Sequence, residues 1–217
     1  MNSVSLICTI HGEVGCASAP TLATILESIQ PDVIFVEVPA AAFNDFYRDR
    51  SRQNLESLAV KSYQEGRNIE IVPVDLPTPD QQFFDDEAEF ENRIRAESPT
   101  YRDLKRQERS HVERYSFAYL NSEYYNQLCV DLYSEMEATL ERLSDPRLTE
   151  NYLKWRETLS QRETAMLKNI QEYDADRSYN AVFLVGAAHR KYIIEKLANL
   201  ISDGMRNIHW KFPECRA

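Results

Sequence analysis

A chain of 217 residues that is 43% hydrophobic and 28% charged, with only five glycines, carries enough apolar content for one full core and has no disordered or low-complexity character. Its formal net charge of −10 argues against a protein that works by neutralising phosphates, so no nucleic-acid partner is expected. No apolar run approaches the roughly 18 residues that cross a bilayer, and Met1-Asn-Ser-Val-Ser-Leu6 lacks a basic segment followed by an apolar one, so no membrane span is expected and the chain reads as cytoplasmic. The four cysteines, Cys8, Cys16, Cys129 and Cys215, have no CxxC spacing and read as reduced thiols, with Cys8 a small buried hydrophobe.

In chain order, the first element is an apolar strand that stops at an imidazole, Ser5-Leu-Ile-Cys-Thr-Ile-His11-Gly-Glu13. Pro20 then opens a helix with Leu22, Ile25, Leu26 and Ile29 on one face, ended by Pro31. A second strand over 32–38 is broken by one carboxylate, Glu37, and stopped by Pro39. A second helix is expected over about 41–65, before Gly66, and a third strand over 68–75 ends at Asp75. This alternation predicts an α/β fold with a mixed, largely parallel sheet flanked by helices.

From about 80 to 178 the pattern changes to an all-helical insertion between the two halves of one domain, with no strand and no glycine. Ser98-Pro99 and Ser144-Asp145-Pro146 divide it into three or four helices. Its tyrosines, Tyr115, Tyr119, Tyr124, Tyr125 and Tyr133, either pack the helices or line a ligand groove. A strand over 181–186 then leads through Gly186-Ala-Ala-His189 into a helix with Ile193, Ile194, Leu197, Leu200 and Ile201 on its apolar face and Gly204 as cap. A short strand over 207–212 ends the pattern. The two strand-to-histidine units suggest a duplicated motif.

Chemistry concentrates at the strand ends. His11 and Glu13 alternate in the turn after the first strand, and imidazole with carboxylate is a usual ligand set for a divalent metal with open water positions. Capping and turn roles are the alternative for both. His189 follows three small residues at the start of a helix, a position that disfavours the imidazolium and suits a ligand or a base. Glu37 sits among Val33, Ile34, Phe35, Val36 and Val38, so its charge needs a metal, a reaction or a counter-ion such as Arg48, Arg50 or Arg162. Asp75 ends its strand in the same sense, as a further carboxylate or a turn former. His111 and His209 read as structural or solvent-facing. Arg162 and Glu163 lie in a stretch that by composition is a solvated helix face.

These residues resemble the TraB/Tiki superfamily, which includes pheromone-shutdown, GumN-like and Wnt-cleaving Tiki proteins, with erythromycin esterases and ChaN-like proteins as distant relatives. The resemblance rests on the first strand with His11, on Gln30-Pro-Asp-Val-Ile-Phe-Val-Glu37-Val-Pro39, on Gln161-Arg162-Glu163-Thr-Ala-Met166 and on Val185-Gly186-Ala-Ala-His189, in that order along nearly the whole chain. It implies a core site of His11, Glu37, Arg162 and His189. The first GxxH motif has Cys8 in place of glycine.

The expected function is a metal-dependent hydrolase, peptidase-like or esterase-like. His11, Glu37, His189 and Asp75 would hold Mn²⁺, Co²⁺ or Zn²⁺, Glu13 would take a proton from the bound water and Arg162 would stabilise the oxyanion. A metal-free version would use His11 and Glu13 on water. The partner is then a peptide or a small ester or lactone, with homo-oligomerisation open. The competing expectation is a regulatory module that sequesters a peptide, haem or another small molecule in the same cleft.

Overall fold

The computed structural model describes residues 2–173, 178–202 and 208–215. Five strands, β1 (Asn2–Thr9), β2 (Val33–Pro39), β3 (Glu70–Asp75), β4 (Asn180–Gly186) and β5 (Ile208–Lys211), form one sheet in the order β3-β2-β4-β1-β5. Every pairing is parallel, so the sheet is wholly parallel among the described strands. The inner strands β1, β2 and β4 carry near-continuous buried runs, as strands covered on both faces require.

Helix α1 (Ala19–Ile29) is capped by Ser18, whose side chain accepts from the Thr21 N–H, and ends in left-handed Gln30 before Pro31. The helix expected over 41–65 is interrupted. A 3₁₀ turn (Ala40–Ala42) and a π-turn (Asn44–Arg48) follow β2, Arg50 is left-handed, and α2 spans only Leu55–Gln64. The cause is a capping box: Asn54 accepts from the Ser57 N–H while Ser57 accepts from the Asn54 N–H, which starts a new helix rather than continuing an old one.

The insertion comprises α3 (Gln81–Glu97), α4 (Pro99–Leu120), α5 (Glu123–Leu143) and α6 (Pro146–Glu172). Ser98 and Asp145 cap α4 and α6 as expected, and Ser122 caps α5. Tyr119 and Tyr125 are buried in an edge-to-face pair, while Tyr115 and Tyr124 are exposed. A 3₁₀ turn (Ala187–His189) joins β4 to α7 (Arg190–Ser202), on which Ile193 and Leu197 are buried. Gly204, the expected cap, lies outside the described residues. Cys8 is fully buried, and all four cysteines are free thiols. Among the described residues no helix is long and apolar enough to cross a membrane.

Strand order fixes where a site belongs. From β1 the chain crosses to β2 and on to β3, whereas from β4 it crosses the other way to β5. β1 and β4 are neighbours whose connections run in opposite directions, so right-handed crossovers take them to opposite faces of the sheet, and between such strands a parallel sheet opens a crevice at its carboxyl ends.

Candidate functional site

Thr9 and Gly186 are register partners at the ends of β1 and β4. His11 lies two residues beyond the first end and His189 three beyond the second. Glu37 follows Val36, the last β2 residue paired with β4. Gly186 is the point they share: a Cβ built there would lie 3.3 Å from Glu37 Oε2, 3.8 Å from His189 Cδ2 and 4.0 Å from His11 Nε2. The missing side chain is the space around which the three groups gather.

Beneath that space lies a buried ionic network. Glu37 Oε2 accepts from the Gly186 N–H at 2.6 Å and Glu37 Oε1 accepts from Arg162 Nη2 at 2.6 Å. Arg162 also donates to Asp75, from Nη2 at 2.7 Å and from Nε at 3.2 Å, so one guanidinium bridges the ends of β2 and β3. The planar fork adds the Nε contact, so Asp75 is held at both of its oxygens, a grip that the point charge of a lysine lacks. His189 Nε2 lies 3.4 Å from Glu37 Oε1, and its Nδ1 is 2.9 Å from Glu163 Oε1 on α6. Lys196 Nζ lies 3.6 Å from Glu163 Oε2. Three carboxylates thus face three cationic side chains.

The electrostatics reverse one expectation. Placement at the start of a helix predicted a neutral His189; burial does oppose its charge, but Glu37 and Glu163 outweigh burial and raise it to about 9. The helix is preceded by a 3₁₀ turn, and full charges at contact distance exceed a partial helix dipole. Burial likewise opposes the Glu37 anion, yet His189, Arg162 and the Gly186 N–H hold its carboxyl well below the usual carboxylate range. For Arg162 burial again opposes the charge, and hydrogen bonding to Asp75 and the charge of Glu37 raise it further.

His11 is differently placed. Its side chain is 67% exposed, while Nδ1 lies 3.2 Å from Oε1 of Glu56, a buried carboxylate on α2. Hydrogen bonding to Glu56 raises the imidazole above its ordinary 6.5, against partial burial. Thr9 Oγ1 donates to the same Glu56 oxygen at 2.7 Å. Glu56 Oε2 is buried with no hydrogen-bond partner among the described residues. The Leu55 N–H donates to the His11 carbonyl at 3.2 Å, which ties the histidine turn to the first turn of α2. Tyr47, buried on the π-turn, faces the same carboxylates: burial, then Glu56 and Glu37, push its phenol up.

The structure therefore gathers His11, Glu37, Asp75, Arg162 and His189 at one sheet edge. Glu13 is exposed, and its Oε1 accepts from the Ala19 N–H at 2.9 Å, so its described contact is with the amino end of α1 and not with the network. His209 is exposed, and His111 packs edge-to-face against Tyr115 and Tyr119.

Two central residues were missed by sequence reasoning. Glu163 was assigned to a solvated face but is 2% exposed. Its signal was present, because Met166, Leu167 and Ile170 follow at i+3, i+4 and i+7 and put the carboxylate on the apolar stripe of α6. Glu56 carried no local signal, since its partners Thr9 and His11 belong to another element.

A metal does not fit these donors. Among the described residues no group of three His, Cys, Asp or Glu side chains is arranged to hold one. Both Glu37 oxygens and both Asp75 oxygens already accept hydrogen bonds, and each His189 nitrogen faces a carboxylate. The Arg162 guanidinium stands between Glu37 and Asp75, where a shared metal ion would have to sit. Comparison with family models, with characterised proteins and with solved structures returned no match.

Proposed function

We propose that this chain is a hydrolase of peptide or ester bonds, related to the TraB/Tiki proteins, whose attacking water is activated by the His11 and Glu56 pair rather than by a metal. The observation that carries this reading is an exposed imidazole with a buried carboxylate behind Nδ1 and with Nε2 turned to the space at Gly186. A histidine so backed is held in one tautomer and can take a proton at the other nitrogen. Glu56 thereby replaces Glu13 as the partner of His11. Arg162 reaches the same edge with Nη1 in no described hydrogen bond, which leaves a donor for an oxyanion. The family reading draws its support from the order of the four motifs and from the shared location of their charged residues.

The test is turnover of p-nitrophenyl esters, lactones and a peptide library by wild type and His11→Ala. Hydrolysis by the wild type that falls on the order of 10²- to 10⁴-fold in the variant supports the proposal. Turnover equal in both proteins refutes it.

A second reading, ligand sequestration without turnover, is favoured by the charge balance of the Glu37, Asp75, Glu163, Arg162, His189 and Lys196 network. A retained ligand with no hydrolysis across the library would select it.

A further inference from the structure

Beside the His11 turn, a groove of about 640 Å³ runs along α4. Five cations line it: Arg95 at the end of α3, and Arg102, Lys105, Arg106 and Arg109 on α4. The α4 residues recur at i, i+3, i+4 and i+7, one face of a helix. Ile10, Gly12 and Val14 line the same groove, so it passes on both sides of His11 in the chain. In a protein of net charge −10, one fifth of the 25 Lys and Arg residues face this one depression, and Glu108 is the one acidic lining residue.

The local partners of these cations do not consume them. Arg95 pairs with Glu91, Lys105 with Glu108, Arg106 with Asp103 and Arg109 with Glu113, each within one helix. Such pairs are weak in water and are screened by salt, so they exchange readily for an incoming anion. Arg102 has no carboxylate partner among the described residues; it donates to the Arg95 and Ala96 carbonyls at the end of α3.

We propose that this groove binds an acidic peptide segment in extended form and leads it to His11, so that the substrate class of the proposed hydrolase is an acidic polypeptide. The inference rests on that hydrolase reading for its catalytic consequence only. Charge complementarity selects an anion, and the layout selects its shape: from Arg102 to Arg109 the cations stretch about 10 Å along the helix axis. A compact phosphate would call for convergent donors. A row of long, flexible cationic side chains spaced about 5 Å apart along the axis lies within reach of carboxylates that alternate along an extended backbone, about 7 Å apart on one side.

Fluorescence anisotropy with labelled hexaglutamate tests this directly, at about 50 mM salt and again at about 300 mM. Hexalysine and an oligothymidylate of the same length serve as comparators. The expected result is saturable binding of hexaglutamate that weakens with salt, no binding of hexalysine, and at least tenfold weaker hexaglutamate binding in the triple variant Arg102→Gln, Arg106→Gln, Arg109→Gln. Glutamine keeps helix propensity at these positions, and circular dichroism checks the fold. Absence of binding at low salt, or binding untouched by the triple substitution, overturns the proposal, as does tighter binding of the oligothymidylate that the triple variant loses. Anisotropy reads binding without turnover, so failure of this inference and failure of the hydrolase reading appear in different measurements.

Discussion

The charge on His189 is a stability element with a definite pH window. In the unfolded chain the imidazole titrates near 6.5, and in the fold it is raised to about 9 because Glu37 and Glu163 outweigh its burial. A raised folded value means that the stabilisation is fully present below 6.5 and is lost as pH rises through about 9. At roughly 1.4 kcal/mol per pH unit, the interval corresponds to about 3 kcal/mol, and with the imidazole buried there is little solvent screening to discount. The mutual attraction of His189 and Glu37 is counted once in that figure. The perturbation is His189→Gln, compared with wild type by urea unfolding at about pH 6 and about pH 9.5. Wild type should be the more stable at the lower pH, and the gap should shrink by about 3 kcal/mol at the higher one, because the variant has no imidazolium to lose. An independent reading comes from the ¹⁵N imidazole resonances of the wild type, in which His189 should titrate near 9, well above the ordinary 6.5. A stability gap that is constant with pH, or a His189 that titrates at its ordinary value, would refute the reasoning.

Turnover should follow a bell in pH: the rising limb reports deprotonation of His11 above its ordinary value, and the falling limb near 9 reports loss of the His189 charge; a kcat/KM profile checks both limbs. Gly186→Ala should keep the fold and lose activity, because the added carbon meets Glu37 Oε2 at 3.3 Å in the space between the two histidines, as circular dichroism and ester turnover will show. Arg162→Gln should destabilise by about 3–5 kcal/mol in chemical denaturation, since it leaves Glu37 and Asp75 buried without their shared cation. Dialysis against EDTA should leave turnover unchanged; loss of activity restored by Mn²⁺, Co²⁺ or Zn²⁺ would show that the donor set rearranges to admit a metal.

The sheet was legible because its inner strands are continuous apolar runs, and two helices of the insertion because α4 and α6 begin at Ser98 and Asp145 directly before Pro, local patterns with direct physical causes. The carboxyl-edge placement of His11, Glu37 and His189 was legible for the same reason: each directly follows or interrupts such a run. The pairings were harder to read. Arg162 looks like any solvated arginine until β2 and β3 bring Glu37 and Asp75 to it from far along the chain. Asn121 is a similar case. Its amide donates to the Cys8 carbonyl and its oxygen accepts from the Cys8 N–H, so a side chain at the end of α4 takes the place of a neighbouring strand. Nothing near Asn121 in sequence announces that. The interrupted helix after β2 shows a different limit, because apolar periodicity does not register a cap, and Asn54 with Ser57 sets the boundary.

Chain order adds a last consequence. β4 lies between β1 and β2, although both precede it by most of the chain. Before β4 is in place Glu37 lacks the Gly186 N–H and the His189 charge, two of the three influences that offset its burial, and only Arg162 remains. A buried carboxylate with one partner is costly. Glu37 therefore favours the complete sheet over any compact state that pairs β1 directly with β2, for such a state would bury the anion without those partners. The charges assembled around Gly186 thus help specify the strand order as well as the site, and the separation of β1 from β4 along the chain makes that assembly a long-range contact with a high cost in loop closure.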